Sequence, residues 1–198
     1  MRLRALAVIA ATLLATVPRT AAADTPFVFD PKTTSVSFTA VHLGLAHVPG
    51  TIPVAKLTLS VADNGLPSSV QVVLDMKGID TRNPDRDADL RSANWFQVDK
   101  YPTATFTSTG IDGKDPAHFR ILGTLALHGV TKPIVIDAHL VGQIKEKTGR
   151  RRVGYEGTTH FDRHDFNIWY PPAMPGGDAI VSADIPIELQ VEAVEASP

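Results

Sequence analysis

Apolar and polar residues alternate along most of the chain, with the period of strands buried on one face. Val36, Phe38, Ala40 and His42 share one side of a segment whose other side is Ser35, Ser37 and Thr39. The same pattern sets Leu57, Leu59 and Val61 against Thr58 and Ser60. It also sets Val70, Val72, Leu74 and Met76 against Gln71, Asp75 and Lys77. Ala104, Phe106 and Ser108 oppose Thr105, Thr107 and Thr109, and Phe119, Ile121, Leu125 and Leu127 form the next apolar face. Ile134, Ile136, Ala138 and Leu140 then oppose Asp137 and His139, while Val153, Tyr155, Thr159 and Phe161 oppose Arg152, Glu156 and His160. The last run takes every second residue from Ala179 through Val181 to Val191, against Ser182, Asp184, Glu188, Gln190 and Glu192. Turn signals separate these runs: Asp63-Asn64-Gly65, Asp112-Gly113-Lys114, His128-Gly129 and Pro175-Gly176-Gly177. The pattern predicts roughly eight one-sided strands joined by short turns, an antiparallel sheet closed on itself or a sandwich. A barrel of about that size is either filled by its own side chains or wide enough for one small ligand.

Two segments depart from the period. Asn83-Pro84-Asp85 opens a short helix running to about Ala93, with Asp85 as its N-cap or first-turn acid. Asp87 and Arg91 stand four apart and can pair on its surface. Trp95 and Phe96 follow and plug this helix against the sheet, either sealing a core or covering a cavity mouth. The second departure is the N-terminus. Arg2 and Arg4 precede the apolar run Ala5 to Val17, which Pro18 breaks before Ala21-Ala22-Ala23. That is the order of a secretory signal, 1–23, cleaved near Ala23 and followed by one domain over 24–198. The run is too short to span a bilayer, so the product is expected to be exported and soluble.

Composition narrows the functional classes. The chain has 198 residues, 43% apolar and 20% charged, which is ordinary for one globular domain. A formal charge of −2 offers no basic field for nucleic acid. Arg150-Arg151-Arg152, beside Lys147-Thr148-Gly149, reads as a solvated hairpin turn. With no cysteine, disulfides, thiolate metal sites and cysteine nucleophiles are excluded. No nucleophile elbow, P-loop or dinucleotide fingerprint is present. His160, Asp162 and His164 have a spacing that could present metal ligands, but they fall on the outward parity, where solvated polar groups are expected.

Four blocks of sequence carry a resemblance. The first is Ser35-Val36-Ser37-Phe38 through His42-Leu43-Gly44-Leu45 to Gly50-Thr51-Ile52. The second runs from Arg86 to Ser92, through Trp95-Phe96, to Lys100-Tyr101-Pro102-Thr103-Ala104-Thr105-Phe106-Thr107-Ser108. The third is Leu125 to Pro133, with His128-Gly129 at its centre, and the fourth is Asp162-Arg163-His164-Asp165-Phe166-Asn167-Ile168. In this order, over about Phe29 to Val194, the chain resembles the YceI-like family of polyisoprenoid- or lipid-binding periplasmic proteins.

The resemblance implies an all-β fold, a lipocalin-like extended antiparallel β-barrel with a short capping helix, holding a long isoprenoid or other amphiphilic lipid. It implies no catalytic residues and no required cofactor, with an isoprenoid lipid or isoprenoid quinone as the passenger and a homodimer as an open option. Asp89 stands where the family usually has histidine, which alters charge at the mouth, and Asn167 where it often has glycine. Parity and blocks together nominate Phe38, His42, Met76, Trp95, Phe96, Phe106, Phe119, Ile136, Tyr155, Phe161, Phe166 and Val181 as channel lining. Arg82, Arg86, Arg91 and Arg163 are the candidate headgroup contacts, with nearby aspartates as their competing partners. The competing class is an isoprenoid-quinone-dependent redox accessory or a metal-dependent enzyme.

Overall fold

Eight alternating segments are strands in the computed structural model, which describes residues 24–175, 177 and 179–197. The expected leader, Met1 to Ala23, lies outside the described residues. The strands in chain order are β1 (Thr25–Phe29), β2 (Ser35–His42), β3 (Ala46–Thr51), β4 (Val54–Val61) and β5 (Pro67–Asp75). They continue as β6 (Thr103–Asp115), β7 (His118–Leu127), β8 (Val130–Lys145), β9 (Arg151–Asp162) and β10 (Asp184–Glu195). Among the described residues one α-helix, α1 (Pro84–Arg91), interrupts them. Two of the ten strands, β1 and β3, carry no alternation long enough to predict them. β1 is five residues with Pro26 inside it, and β3 contains Pro49 and Gly50.

β1, β4, β5, β6, β7, β8, β9 and β10 pair in that order, all antiparallel, and β1 pairs back to β10. The result is a closed eight-stranded barrel carrying two further strands. The join is unequal along β10. Its Ala193–Glu195 half pairs β1, whereas its Ile187–Gln190 half pairs β2, which carries β3 as a hairpin. One end is therefore drawn shut by β1 and β4. At the other end the β2–β3 hairpin stands between β10 and the segment from Met76 to Pro102, and Thr51 bridges to Asp80.

The shut end is packed and salted. Phe27, Val61, Val153 and Ala193 are almost fully buried there. Arg151 and Arg152 are strand residues within an ion-pair cluster, so the solvated turn expected for the arginine triplet keeps only Arg150. Arg152 reaches Glu146, Glu192 and Asp30, and Arg151 reaches Glu195 and Asp63. Hydrogen bonds from Arg152 and Thr148 outweigh burial and hold the Glu146 carboxyl below its ordinary range.

Further differences from expectation lie at the other end. β10 begins at Asp184, not near Ala179, because residues 181–183 give their carbonyls to Arg163 instead of to a neighbouring strand. The N-cap of α1 is Asn83, whose side chain accepts from the Arg86 amide, and Asp85 is a first-turn acid. Asp87 and Arg91 do not form a surface pair. Asp87 is buried and accepts from both the amide and the hydroxyl of Thr81, at 2.8 and 2.6 Å. Arg91 donates to the carbonyl of Ile79 at 3.2 Å. These bonds stitch α1 to the strand-like stretch before it and hold it against one side of the barrel end opposite β1.

Candidate functional site

Alternation turns one face of every barrel strand inward, and those faces do not meet. They surround a cavity of about 370 Å³, within the range of small-molecule sites. β2 contributes Val36, Phe38, Ala40 and His42, β4 contributes Leu57 and Leu59, and β5 with the following turn contributes Val70, Val72, Leu74 and Met76. Phe106, Phe119, Ile121, Ile134, Ile136, Tyr155 and Phe161 continue the wall, and Ile185, Ile187, Leu189 and Val191 of β10 close it. Leu90, Trp95 and Phe96 cover the side at which α1 sits.

The lumen stays open because two large rings lie flat. Gly50 faces Phe38 across the β2–β3 pair. A Cβ built on it would stand 2.3 Å from Phe38 Cζ. Gly123, diagonal to Phe106 across the β6–β7 pair, takes that ring likewise, with ring atoms 2.5 Å from its absent Cβ. Each ring covers its neighbour's bare backbone instead of projecting into the centre. At the floor, the Tyr155 hydroxyl donates to the Gly65 carbonyl at 2.8 Å, and its ring meets Phe119 edge to face. Burial pushes this hydroxyl well above the ordinary tyrosine range, with Arg151 opposing the shift.

Polar groups gather toward the α1 side. Thr81, Arg86, Asp89 and Arg163 all border the cavity. Arg86 spends Nε on the Thr81 hydroxyl at 2.7 Å and Nη2 on the Thr81 carbonyl at 2.8 Å. Asp89 accepts the Trp95 indole N–H at 2.8 Å, so its carboxylate orients the ring that forms part of the wall. Arg163 is buried and donates to four carbonyls, those of Ser182, Ile168, Tyr170 and Val181, at 2.5 to 3.1 Å. Burial lowers its affinity for a proton, and the nearby Asp162 opposes that. Its guanidinium acts as a clamp on the chain between β9 and β10.

Eleven of the twelve nominated lining residues border the cavity. Phe166 does not: it is buried behind the wall, its ring edge-on to Phe161 at 5.3 Å and its carbonyl bonded to His128 Nδ1. Of the four arginines, Arg86 and Arg163 border the cavity and two do not. Arg82 is exposed on a left-handed turn residue, and Arg91 is turned to the carbonyls under α1. His42 sits exposed at the mouth, bridged through its backbone to Val181. His160 pairs with Asp184 and His164 with Asp162, and among the described residues no cluster of three His, Asp or Glu is placed to hold a metal. Asn167 takes the left-handed conformation at φ 60°, which explains why glycine and asparagine serve alike there. Gly50, Gly123, Thr81 and the Asp89–Trp95 bond escaped sequence reasoning. Only an alternation broken by glycine opposite an aromatic residue hints at the first two.

The YceI-like domain description matches residues 27–193, which is nearly the whole described chain. The chain belongs to the YceI-like family. A UPF0312 protein of Vibrio vulnificus is 36% identical over 162 residues, covering 81% of this chain and 82% of the relative. The crystal structure of a Campylobacter jejuni YceI protein superposes with a TM-score of 0.71 at 27% identity, over 79% of this chain and 90% of that one. A polyisoprenoid binding domain from Saccharophagus degradans, implicated in plant cell wall breakdown, shares the fold with a TM-score of 0.59 at 16% identity, over 88% and 99% of the two chains. The YceI-like barrel places its four blocks around one lumen: the first on β2 and β3, the second on α1 and β6, the third at the β7–β8 turn, and the fourth at the Arg163 clamp.

Proposed function

We propose that this YceI-like barrel is a non-catalytic carrier that holds the tail of an isoprenoid or similar amphiphilic lipid in its lumen. The observation that carries this reading is the open, apolar lumen kept clear by Gly50 and Gly123 beneath Phe38 and Phe106. Such a wall offers a hydrocarbon tail apolar contact along its length, and each buried methylene contributes about 0.8 kcal/mol. The name of the Saccharophagus domain, which shares the fold, supports the same ligand class. At the mouth Arg86 and Asp89 carry opposite charges, and Arg163 is engaged by carbonyls, so the site suits an uncharged headgroup such as an alcohol or a quinone. A phosphate would meet the Asp89 carboxylate. The residues before Asp24 read as an export leader, which puts the carrier in the periplasm or outside the cell. N-terminal sequencing of exported protein is expected to start at or near Asp24.

Titration with prenols of graded length, followed by tryptophan fluorescence or calorimetry, tests the carrier reading. Affinity is expected to rise with tail length until the lumen is full and then level off, with prenyl phosphates binding less tightly than the alcohols. Affinity that does not change with tail length, or no saturable binding of any lipid, overturns it.

A further inference from the structure

The exposed apolar side chains are not spread evenly over the barrel. Of nine large hydrophobic side chains exposed among the described residues, Leu43, Leu45, Trp169, Tyr170 and Met174 belong to just two loops. Leu45 is 84% exposed and Trp169 64%. Each loop directly follows a cavity-lining residue, His42 before Leu43 and Ile168 before Trp169, and the two loops are tied to one another. The Leu43 amide donates to the Ile180 carbonyl at 2.9 Å, and His42 bridges to Val181. Arg163 then holds the carbonyls of Val181 and Tyr170 with a single guanidinium. The Tyr170 ring meets the cavity-lining ring of Trp95 with centroids 5.5 Å apart.

The same stretches are free of charge. Residues 33–55 and 166–177 contain no Asp, Glu, Lys or Arg, in a chain that is 20% charged. The first stretch is the β2–β3 hairpin, whose inward side chains line the cavity, but its outward side chains and turn have no such reason to exclude charge in water, whereas a surface that enters an apolar phase does. Tryptophan and tyrosine suit the boundary between headgroups and acyl chains, where an apolar ring and a polar edge are both accommodated.

We infer that this rim docks on an uncharged lipid-bilayer surface, inserting Leu43, Leu45, Trp169 and Tyr170 so that the cavity mouth opens into the membrane. An apolar tail then passes from bilayer to lumen without crossing water. The docking goes beyond the carrier reading and rests on it only for its purpose. A second copy of the chain fits the rim less well. A stable dimer buries about 800 Å² on each partner, and a few side chains at loop tips do not supply that. With no lysine or arginine in either stretch, and with Arg163 buried on carbonyls, attachment comes from apolar insertion and depends little on salt.

Flotation with phosphatidylcholine vesicles tests this, using lipid-free protein and its variants Leu45→Asp and Trp169→Asp. Neither residue lines the cavity. Wild type is expected to float at low and at high salt, and each variant to lose about tenfold in partitioning. Val141→Asp, at an exposed apolar site outside the rim, is expected to float like wild type. Prenol affinity in solution should stay unchanged in the rim variants, while transfer of a prenol from vesicles to protein slows. Failure of wild type to float, or equal flotation of the rim variants, overturns the docking even if prenols bind. Flotation that needs anionic lipid and vanishes in salt also overturns it. So does a concentration-dependent dimer dissociated by Leu45→Asp with no vesicle binding. Loss of prenol binding with flotation intact would instead strike the carrier reading alone.

Discussion

A methyl group at Gly50 has nowhere to go except into the space held by the Phe38 ring, since ring atoms lie 2.3 to 3.0 Å from the ideal Cβ. Gly50→Ala therefore swings the ring into the lumen. The expected result is about tenfold weaker prenol binding and a stability loss of about 1–3 kcal/mol from overpacking. The double variant Gly50→Ala with Phe38→Leu should recover both, which calorimetry and urea unfolding can measure. Tyr155 offers a second test at this scale. Its folded pKa is raised, chiefly by burial, so the stabilisation tied to its neutral form is complete below the unfolded value of about 10 and is lost as pH rises beyond it. Tyr155→Phe should cost about 1 kcal/mol at neutral pH, because the Gly65 carbonyl loses its donor. The variant's stability should then fall less steeply than wild type above about pH 10. Parallel urea-unfolding profiles for the two proteins in alkali would rule out the tyrosine as the cause.

At the scale of an element, α1 shows why a short helix with little apolar surface stays in place. Its only buried residue is Asp87, an acid, and its anchoring is polar. Burial alone would raise the Asp87 pKa, but the two bonds from Thr81 and the nearby Arg91 and Arg86 more than offset it and hold the carboxyl below its ordinary range. A depressed carboxyl contributes stability above the unfolded pKa of about 3.9 and loses it as pH falls through the folded value. Asp87→Ala is expected to cost about 1–3 kcal/mol at neutral pH by leaving Thr81 without its acceptor. The gap from wild type should narrow in acid below about pH 4. Chemical denaturation at several pH values measures it, and a gap that persists unchanged in acid would assign the cost to packing instead. The variant should also bind prenols more weakly, since Trp95 and Phe96 follow directly from the helix that it loosens.

At the scale of the whole molecule, closure rests on the shortest strand. β1 joins β4 to β10 and inserts Phe27 beside Val61, Val153 and Ala193, with the Arg151 guanidinium 5.3 Å over its ring. Phe27→Ala should cost about 3–5 kcal/mol, as expected for a large core side chain removed without collapse of the site. Val28→Ala, on the exposed side of the same strand, should stay within about 0.5 kcal/mol of wild type. Urea midpoints for the two variants decide whether β1 is a structural seam or a dispensable edge.

The sequence by itself determined which side of each long strand is wet. Alternation is a local property: a residue two positions on faces the same way whatever the rest of the chain does. Hence the inward sets headed by Phe38, Phe106, Ile136 and Tyr155 could be read directly, and the four motif blocks could be assigned to a family. Tertiary structure decided whether those inward sets meet or stand apart, because that depends on how many strands close the ring and on what each ring lies against. Phe38 leaves room only because Gly50 is across from it, and that pairing is set by register rather than by sequence distance. The arginines show the same division. Their candidacy as polar contacts was legible, but Thr81 claims Arg86 from five residues away beside α1, and the carbonyls of residues 181 and 182 claim Arg163 through contacts that exist only once the end of β9 has met the start of β10.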